Sequence, residues 1–192
     1  RRGARVSALL LAGRAHPAGL QAFTQAGGRV VRAVPADADL VVDGILGIGG
    51  RGGLRDGAAE AVAALPEDAW VLAADLPSGV DADTGEVTGP AVRADVTATF
   101  GALKPGLLVD PGAEHAGIVE VVDLGLEDLS GPAAEVLDAR DVDRLLPRPG
   151  RESDKYRRGV VGVAAGSDAY TGAAVLCVGG AVRGGAGMVR YA

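Results

Sequence analysis

Segments typical of strands alternate with segments typical of helices along the first two thirds of the sequence, and this alternation constrains the fold most. The strand segments are continuous apolar runs, as in parallel sheets whose two faces are both covered. Regular strand–helix alternation predicts a mainly parallel, three-layer α/β fold. The expected strands are residues 5–11, 29–34, 40–46, 70–76, 92–100 and 118–124, and the expected helices are residues 17–26 and 54–65.

A second alternation follows a region rich in helix breakers. Residues 130–132 and 147–151 contain Gly and Pro, and residues 141–146 between them predict a short helix. A strand, a helix and a strand are then expected at residues 160–165, 172–182 and 188–191. We predict a first domain at residues 1–130, a linker at 131–150 with the boundary near residue 147, and the start of a second domain at 151–192. Since both ends run directly into predicted strands, we expect the chain to be part of a longer polypeptide.

Composition excludes several classes of function. The 48% hydrophobic content supports a buried core, and the net charge of −6 argues against nucleic-acid or anionic-membrane partners. No apolar run approaches the roughly 20 residues that span a bilayer. The single cysteine, Cys177, permits no intrachain disulfide, and a cytoplasmic location is expected. His16 and His115 have no metal-ligand spacing.

A glycine-rich stretch lies between a predicted strand and a predicted helix. Gly47, Gly49 and Gly52 fit G-x-G-x-x-G, and Asp75 lies 23 residues beyond Gly52, which nearly meets the dinucleotide-binding pattern. Glycines let the backbone approach a phosphate, and a helix N-terminus offers free N–H groups. With 31 glycines in the chain, the spacing alone is equally compatible with a glycine-rich turn.

Oxygen-bearing side chains follow two of the predicted strands. Asp75 comes after the apolar run 70–74, Asp43 lies near the end of its strand, and Ser78 follows Asp75 closely. In open α/β sheets, ligands bind at the carboxyl ends of the strands. Two carboxylates and a hydroxyl at that edge predict an oxygen-rich cation site, and the alternative is a set of loop-capping residues.

Lysine is rare in this chain. Among 19 Lys and Arg residues, only Lys104 and Lys155 are lysines, and Lys104 follows a predicted strand. A chain that strongly favours Arg has a reason to keep a Lys where a compact point charge is needed. The alternative is a solvated loop lysine.

Three segments together resemble one family. DLVVDGILG at residues 39–47, ADLPSGVD at 74–81 and ADVTATFGALKPG at 94–106 are similar, in order and spacing, to the YjeF N-terminal family, the NAD(P)H-hydrate epimerases. The resemblance covers about residues 1–125 and implies a Rossmann-like fold. It also implies an enzyme of nicotinamide nucleotide repair that interconverts the R and S forms of hydrated NAD(P)H.

The resemblance implies roles for individual residues. Asp75 would be the catalytic, substrate-contacting carboxylate, and Lys104 would tune its pKa or meet a phosphate. Asp43 and Ser78 would hold K⁺. The family's N-N-G-G-D-G-like loop, one Asn of which helps to hold this ion, is not in this sequence, so weak occupancy is expected. The remaining expected substrate-binding residues form the loop Gly47, Ile48, Gly49, Gly50, Arg51, Gly52 and Gly53.

Residues from 151 onward resemble the opening of a ribokinase-like NAD(P)H-hydrate dehydratase. The matching segments are KYRRG at 155–159, GS at 166–167, YTGAA at 170–174 and GAGMV at 185–189. This resemblance implies ADP-dependent dehydration of the S form in the full chain and a substrate contact at Ala173. The family's G-G-x-G-D motif, which carries its catalytic Asp and nucleotide site, is not in this sequence.

Two other functions remain open. A Rossmann dehydrogenase using NAD would place Asp75 on the ribose, although its glycine pattern normally follows the first strand of the unit. A non-catalytic module would only bind the nucleotide. In each case the expected partner is a small nicotinamide nucleotide, and a homo-oligomer is possible.

Overall fold

The computed structural model describes residues 3–126, 131, 134–146 and 148–192. The chain divides into two compact units, residues 1–134 and 135–192. The first unit contains β1 (Ser7–Leu9), α1 (Pro17–Gln25), β2 (Arg29–Val31), β3 (Leu40–Asp43), α2 (Asp56–Ala63), β4 (Trp70–Ala74), β5 (Val96–Phe100), a 3₁₀ turn (Pro105–Leu107), α3 (Ala113–Ala116) and β6 (Ile118–Val122). The second contains α4 (Ala139–Leu145), β7 (Val160–Val163), α5 (Thr171–Arg183) and β8 (Met188–Tyr191).

A four-stranded parallel sheet organises the first unit. Its strands lie in the order β3-β4-β5-β6, and β1 and β2 form a separate parallel pair. Leu40 pairs with Trp70 and Val96 pairs with Ile118, so β3 begins level with β4 and β5 begins level with β6, while β5 starts opposite Leu72 of β4. The expected parallel, Rossmann-like α/β arrangement is confirmed. Because parallel strands all point the same way, the residues that follow β3, β4 and β5 meet at one edge.

Most elements are shorter than the sequence predicts. The run 40–46 ends as a strand at Asp43, the run 92–100 starts pairing at Val96, and the helix expected at 54–65 spans Asp56–Ala63. Apolar residues continue past the point where ladder pairing stops, so hydrophobicity overestimates strand length. The 3₁₀ turn and α3 were not expected, because elements this short show no apolar periodicity. Residues 130, 132 and 147 of the predicted breaker and domain boundary lie outside the described residues.

The two faces of the four-stranded sheet differ in burial. Val71, Ala73, Thr97 and Thr99 point to one face and are buried. On the other face Leu40, Val42, Trp70 and Ile118 are exposed, at 58–64% of their full accessible surface. The expectation that both faces are covered is therefore wrong within the described residues. Successive side chains alternate between faces, so an apolar run shows that both faces are apolar without showing what covers them.

A small apolar core includes residues from the segments that follow β4 and β5. Leu76, Ala82, Leu107 and Ala116 form it, and Val119 packs against it. These residues come from the loop after β4, the 3₁₀ turn, α3 and β6. The core thereby anchors the loop after β4 and the 3₁₀ turn after β5, the two segments that border the strand-end edge.

The second unit repeats the strand–helix–strand pattern on a smaller scale. Strands β7 and β8 pair in parallel, and α5 lies between them in the chain, as the sequence predicts. Helix α4 begins with a capping box, in which the Asp138 side chain accepts from the Asp141 amide and the Asp141 side chain accepts from the Asp138 amide. Among the described residues, no helix combines the length and apolar character needed to cross a lipid bilayer.

The first prediction concerns the contact between the 3₁₀ turn and the loop after β4. A Cβ at Gly106 would meet the Asp81 carbonyl oxygen far inside contact distance and lie 3.0 Å from the Ala82 carbonyl oxygen. We expect Gly106→Ala to lower the free energy of unfolding by roughly 1–3 kcal/mol, the usual cost of overpacking. Urea unfolding followed by circular dichroism measures this change.

Gly89→Ala is the matched control, because a Cβ there has no atom within 4 Å. It should change the unfolding free energy by less than about 1 kcal/mol. Equal effects of the two variants would show that the approach at Gly106 is not a packing constraint.

Candidate functional site

The candidate site lies at the carboxyl edge of the parallel sheet. Asp43 is the last residue of β3, Asp75 directly follows β4, and Lys104 lies four residues after β5 ends. The glycine-rich loop 47–53 connects β3 toward α2. The structure therefore gathers the first-unit residues expected from sequence at one edge, where parallel α/β sheets bind ligands.

Asp43 and Ser78 form a buried hydrogen-bonded pair at this edge. The Ser78 hydroxyl donates to Asp43 Oδ1 at 2.7 Å, and the Ser78 amide donates to Asp43 Oδ2 at 2.7 Å. Oδ1 also accepts from the Ile45 amide at 3.1 Å, and the Ser78 hydroxyl accepts from the Leu46 amide at 3.0 Å. Asp43 and Ser78 are only 4% and 1% exposed. The pair thus ties the start of the glycine-rich loop to the loop after β4.

The chemistry of this pair fits a hard cation in part. The atoms that could coordinate an ion are all oxygens, which hard cations prefer as ligands. An ionised carboxylate has about four lone-pair sites, and three hydrogen bonds leave about one of these sites free on Asp43. The two side chains can therefore supply only a minority of an ion's ligands. Within the described parts of the chain, His, Cys, Asp and Glu side chains form no group of three or more that could hold a metal ion.

Asp75 adopts an unusual backbone conformation. Its φ of 78° is the only positive value at a non-glycine residue in the described part of the chain. Asp tolerates this left-handed region better than most residues, and such positions concentrate at functional sites. The carboxylate accepts from the Ile48 amide at 3.2 Å and from the Phe100 amide at 3.4 Å. It is thereby fixed between the glycine-rich loop and the end of β5.

Lys104 is the charged partner of Asp75. Its Nζ donates to Asp75 Oδ1 at 2.7 Å, to the Thr99 hydroxyl at 2.8 Å and to the Phe100 carbonyl at 2.8 Å. Both charged side chains are about 85% buried, with exposures of 15% for Lys104 and 14% for Asp75. An ammonium group has three donors, and all three are in use. This geometry favours the tuning of Asp75 over direct phosphate contact, since a phosphate would have to displace an existing acceptor.

The surroundings of Asp75 act on its pKa in opposite directions. Burial is the largest single influence and raises the pKa of Asp75. The hydrogen bond and charge of Lys104, together with the Phe100 and Ile48 amides, outweigh it, so the pKa of Asp75 lies below its usual 3.8. The carboxylate is therefore ionised at neutral pH.

The glycine-rich loop packs closely against Asp75. A Cβ at Gly47 would lie 3.0 Å from Asp75 Oδ2, tighter than an ordinary contact. The Gly50 amide donates to the Gly47 carbonyl at 2.8 Å and closes a turn, and Gly52 has a φ of +70°. Glycine is favoured at Gly47 by the close approach of Asp75 and at Gly52 by its positive φ. The loop can therefore present backbone amides next to the carboxylate.

Arg51 ties the glycine-rich loop to the loop after β4. Its Nη1 donates to Asp83 Oδ2 at 2.9 Å and to Asp81 Oδ2 at 3.2 Å. Asp81 is itself fixed, because its Oδ1 accepts from the Asp83 amide and from the amide and hydroxyl of Thr84. The backbone amides of Thr84 and Asp83 are the main reason that the pKa of Asp81 is lowered. Arg51 is 65% exposed, so this tether lies at the surface.

Ala173 belongs to the second unit. It lies in the first turn of α5 and is exposed, and its amide donates to the Tyr170 carbonyl at 3.4 Å. Its expected role as a substrate contact stays a prediction.

Sequence reasoning assigned no role to Thr99 or Asp81, although each contacts an expected site residue. Thr97 and Thr99 alternate with apolar residues in β5 and are completely buried. A polar residue on the buried face of a strand was the available signal, because such a group needs a hydrogen-bond partner. The partner itself could not be inferred from spacing.

Comparison with known proteins places these residues in a family context. A family model described as YjeF-related protein N-terminus matches residues 1–106. The chain is 51% identical over 195 aligned residues to a bifunctional NAD(P)H-hydrate repair enzyme of Mycobacterium tuberculosis, covering 100% of this chain and 40% of that protein. The chain thus spans well under half the length of that relative.

Two shorter relatives carry the name NAD(P)H-hydrate epimerase. The protein of Clavibacter michiganensis is 45% identical over 159 residues, which cover 73% of this chain and 69% of that protein. The protein of Microbacterium testaceum is 44% identical over 166 residues, which cover 80% of this chain and 64% of that protein.

The second prediction concerns the ion pair at the sheet edge. Lys104→Met removes the charge and keeps an unbranched side chain. We expect the pKa of Asp75 to rise, because burial remains while the hydrogen bond and charge of Lys104 are lost. A depressed pKa stabilises the fold above the unfolded value of 3.8, and this contribution disappears as pH falls through the folded value. In the variant the folded-state pKa lies closer to or above 3.8, so Asp75 contributes less stability at neutral pH and causes a smaller loss of stability as pH falls below 3.8.

Carboxyl ¹³C NMR titration of Asp75 measures this shift directly. Lys155→Met is the control, because this other lysine lies in the second unit with its Nζ 5.1 Å from the centre of the Tyr156 ring. Titration of Asp75 at the same pH in the wild type and in Lys104→Met would contradict the assignment of Lys104 as its tuning partner.

Proposed function

Because this chain belongs to the YjeF-related N-terminal family, we propose that its first unit epimerises the R and S forms of hydrated NAD(P)H. The main support is the placement of Asp75, a strained, largely buried carboxylate held between the glycine-rich loop and Lys104. Relatives named NAD(P)H-hydrate epimerase cover most of this chain. The substrate is accordingly a small nicotinamide nucleotide.

In this proposal Asp75 exchanges a proton with the hydrated ring. Its lowered pKa keeps it in the ionised form that can accept a proton but makes it a weaker base, because a general base is most effective with a pKa near the working pH. Lys104 holds the carboxylate in place, and its positive charge compensates the negative charge of Asp75 between proton transfers. The Ile48 amide fixes the second carboxylate oxygen. The pair is thus arranged before substrate binds, which reduces the reorganisation required during the reaction.

The glycine-rich loop binds the nucleotide in this proposal. The backbone amides of residues 47, 49 and 51–53 donate no hydrogen bond in the described structure, and Gly47, Gly49, Gly50, Gly52 and Gly53 carry no side chain that could block a phosphate. A phosphate beside these amides, close to the start of α2, gains hydrogen bonds and the favourable end of the helix dipole. Arg51 adds a positive charge at the same loop.

Asp43 and Ser78 would hold K⁺ beside this loop. Their oxygens are buried at the point where the loop leaves β3. The ion would supply a positive charge near the negatively charged nucleotide. Because two side chains provide few ligands, we expect weak binding by these residues alone.

The proposal for the second unit concerns a dehydratase activity of the full-length protein. Its parallel β7–α5–β8 unit would open an ADP-dependent dehydratase domain in the full-length protein, with Ala173 contacting the S form of the substrate. A cytoplasmic location and a homo-oligomeric state remain predictions.

The third prediction tests Asp75 in the full-length protein. Asp75→Asn removes the ionisable group, and Asn also tolerates a positive φ, so the variant should fold. We expect the epimerase rate to fall by roughly two to four orders of magnitude, the usual worth of a general acid or base. The dehydratase rate should be almost unchanged. Interconversion of the R and S forms of hydrated NADH, followed by chromatography, provides the measurement.

Asp83→Asn is the matched control, since Asp83 is exposed and contacts Arg51 but not Asp75. It should retain an epimerase rate within about tenfold of the wild type. Near wild-type turnover by Asp75→Asn would remove Asp75 from the mechanism. Binding of hydrated NADH without turnover by the wild type would instead support the binding module, and hydride transfer to a carbonyl would support the dehydrogenase.

The fourth prediction concerns the cation. Replacing K⁺ by tetramethylammonium in the assay should lower the epimerase rate of the wild type. Ser78→Ala removes one of the two side chains proposed to bind K⁺. It should raise the K⁺ concentration needed for half-maximal activity by about tenfold. A wild-type rate that is independent of K⁺ would refute the cation site.

A further inference from the structure

Two threonines on β5 provide an internal comparison. Thr97 and Thr99 lie on the same strand and point to the same face, and both are completely buried. The Thr97 hydroxyl donates to the Ala116 carbonyl at 2.7 Å, which is a backbone contact with the core. The Thr99 hydroxyl accepts from Lys104 Nζ at 2.8 Å, which is a contact with the candidate site. Two buried threonine hydroxyls on one strand therefore have different partners: that of Thr97 bonds the core backbone and that of Thr99 bonds the candidate site.

The position of Lys104 Nζ depends on fixed acceptors. A lysine side chain has a long, flexible stem and can occupy many rotamers. Here the ammonium is held by Asp75 Oδ1, the Phe100 carbonyl and the Thr99 hydroxyl. The Phe100 carbonyl belongs to the backbone, and Asp75 is the proposed catalytic group. Of the two side chains that accept from Lys104, Asp75 takes part in the proposed reaction and Thr99 does not.

We infer that Thr99 is a positioning residue whose hydroxyl holds the Lys104 ammonium against the Asp75 carboxylate. Its place in the interior of β5, paired with Val121 on the neighbouring strand, makes it a rigid support. This inference rests on the proposed function of Asp75. It adds a residue that acts through Lys104 and does not itself touch the substrate.

Loss of the Thr99 hydroxyl should affect turnover and substrate binding differently. Without the Thr99 hydroxyl, the buried ammonium loses one of three acceptors and is held less firmly at Asp75. The glycine-rich loop is unaffected, because the Thr99 side chain makes no hydrogen bond to it in the described structure. The rate of the proton-transfer step should fall, and the affinity for the nucleotide should stay nearly constant.

The test compares Thr99→Val, Thr99→Ser and Thr97→Val in the full-length protein. Valine matches the shape of threonine without the hydroxyl, and serine restores the hydroxyl. We expect Thr99→Val to lower kcat about tenfold, the effect of losing one hydrogen bond to a charged group, with KM changed by less than about twofold. Thr99→Ser and Thr97→Val should both keep kcat near the wild-type value.

A second readout is independent of turnover. Lys104 is the charged side chain that contacts Asp75 in the described structure, and loop 47–53 and β5 contribute only the Ile48 and Phe100 amides. Carboxyl ¹³C NMR should therefore show a higher pKa for Asp75 in Thr99→Val than in the wild type or Thr97→Val. The acid limb of the kcat profile should move in the same direction.

The outcomes separate this inference from the proposed function. A wild-type protein that fails to epimerise hydrated NADH refutes the function, and the Asp75 titration still decides the role of Thr99. An unchanged Asp75 titration in Thr99→Val overturns the positioning role. Equal losses of kcat in Thr99→Val and Thr97→Val also overturn it, because they indicate a general effect of removing buried hydroxyls.

Discussion

The ion pair between Lys104 and Asp75 is the interaction on which the arrangement of the sheet edge depends. Burying two charges costs free energy that their attraction offsets only when the remaining donors and acceptors are also satisfied. Here the ammonium uses all three donors, and the carboxylate accepts from two backbone amides besides Lys104. These bonds join the glycine-rich loop, the end of β4 and the end of β5. A change in any one segment therefore alters the environment of the same carboxylate.

The parallel sheet brings the ends of three strands to one edge, and a glycine allows the loop after β3 to approach Asp75 closely. Strands β3, β4 and β5 are neighbours in space as well as in sequence, so their ends present Asp43, Asp75 and Lys104 along one edge. A side chain at Gly47 would press on the Asp75 carboxylate. The positive φ of Asp75 turns the chain sharply out of β4. Local strain and close approach are thus concentrated at one point, a pattern associated with functional sites.

The sequence predicts which residues lie near the carboxyl ends of strands better than it predicts the contacts between them. Asp43, Asp75 and Lys104 were expected at strand ends, because apolar runs followed by polar residues mark where a strand leaves a core. The Thr99–Lys104 and Arg51–Asp81 bonds were not expected, since they depend on side-chain rotamers and on the register of loops. The exposure of Trp70 and Ile118 was also missed. An apolar side chain shows that a residue is suited to burial. Which element covers it depends on the assembled fold and cannot be read from the apolar run.

Arg51 shows how the glycine-rich loop can be held and still exchange a ligand. Its two ion pairs are at least partly solvated, with Arg51 65% and Asp83 67% exposed. Exposed pairs of this kind contribute little to stability because water screens them, and breaking them costs less than breaking the buried Lys104–Asp75 pair. A phosphate bound at the loop, as proposed, offers the guanidinium a bidentate partner that replaces Asp81 and Asp83 at little cost. The outer tether is thus exchangeable, while the inner pair keeps the carboxylate in a fixed position.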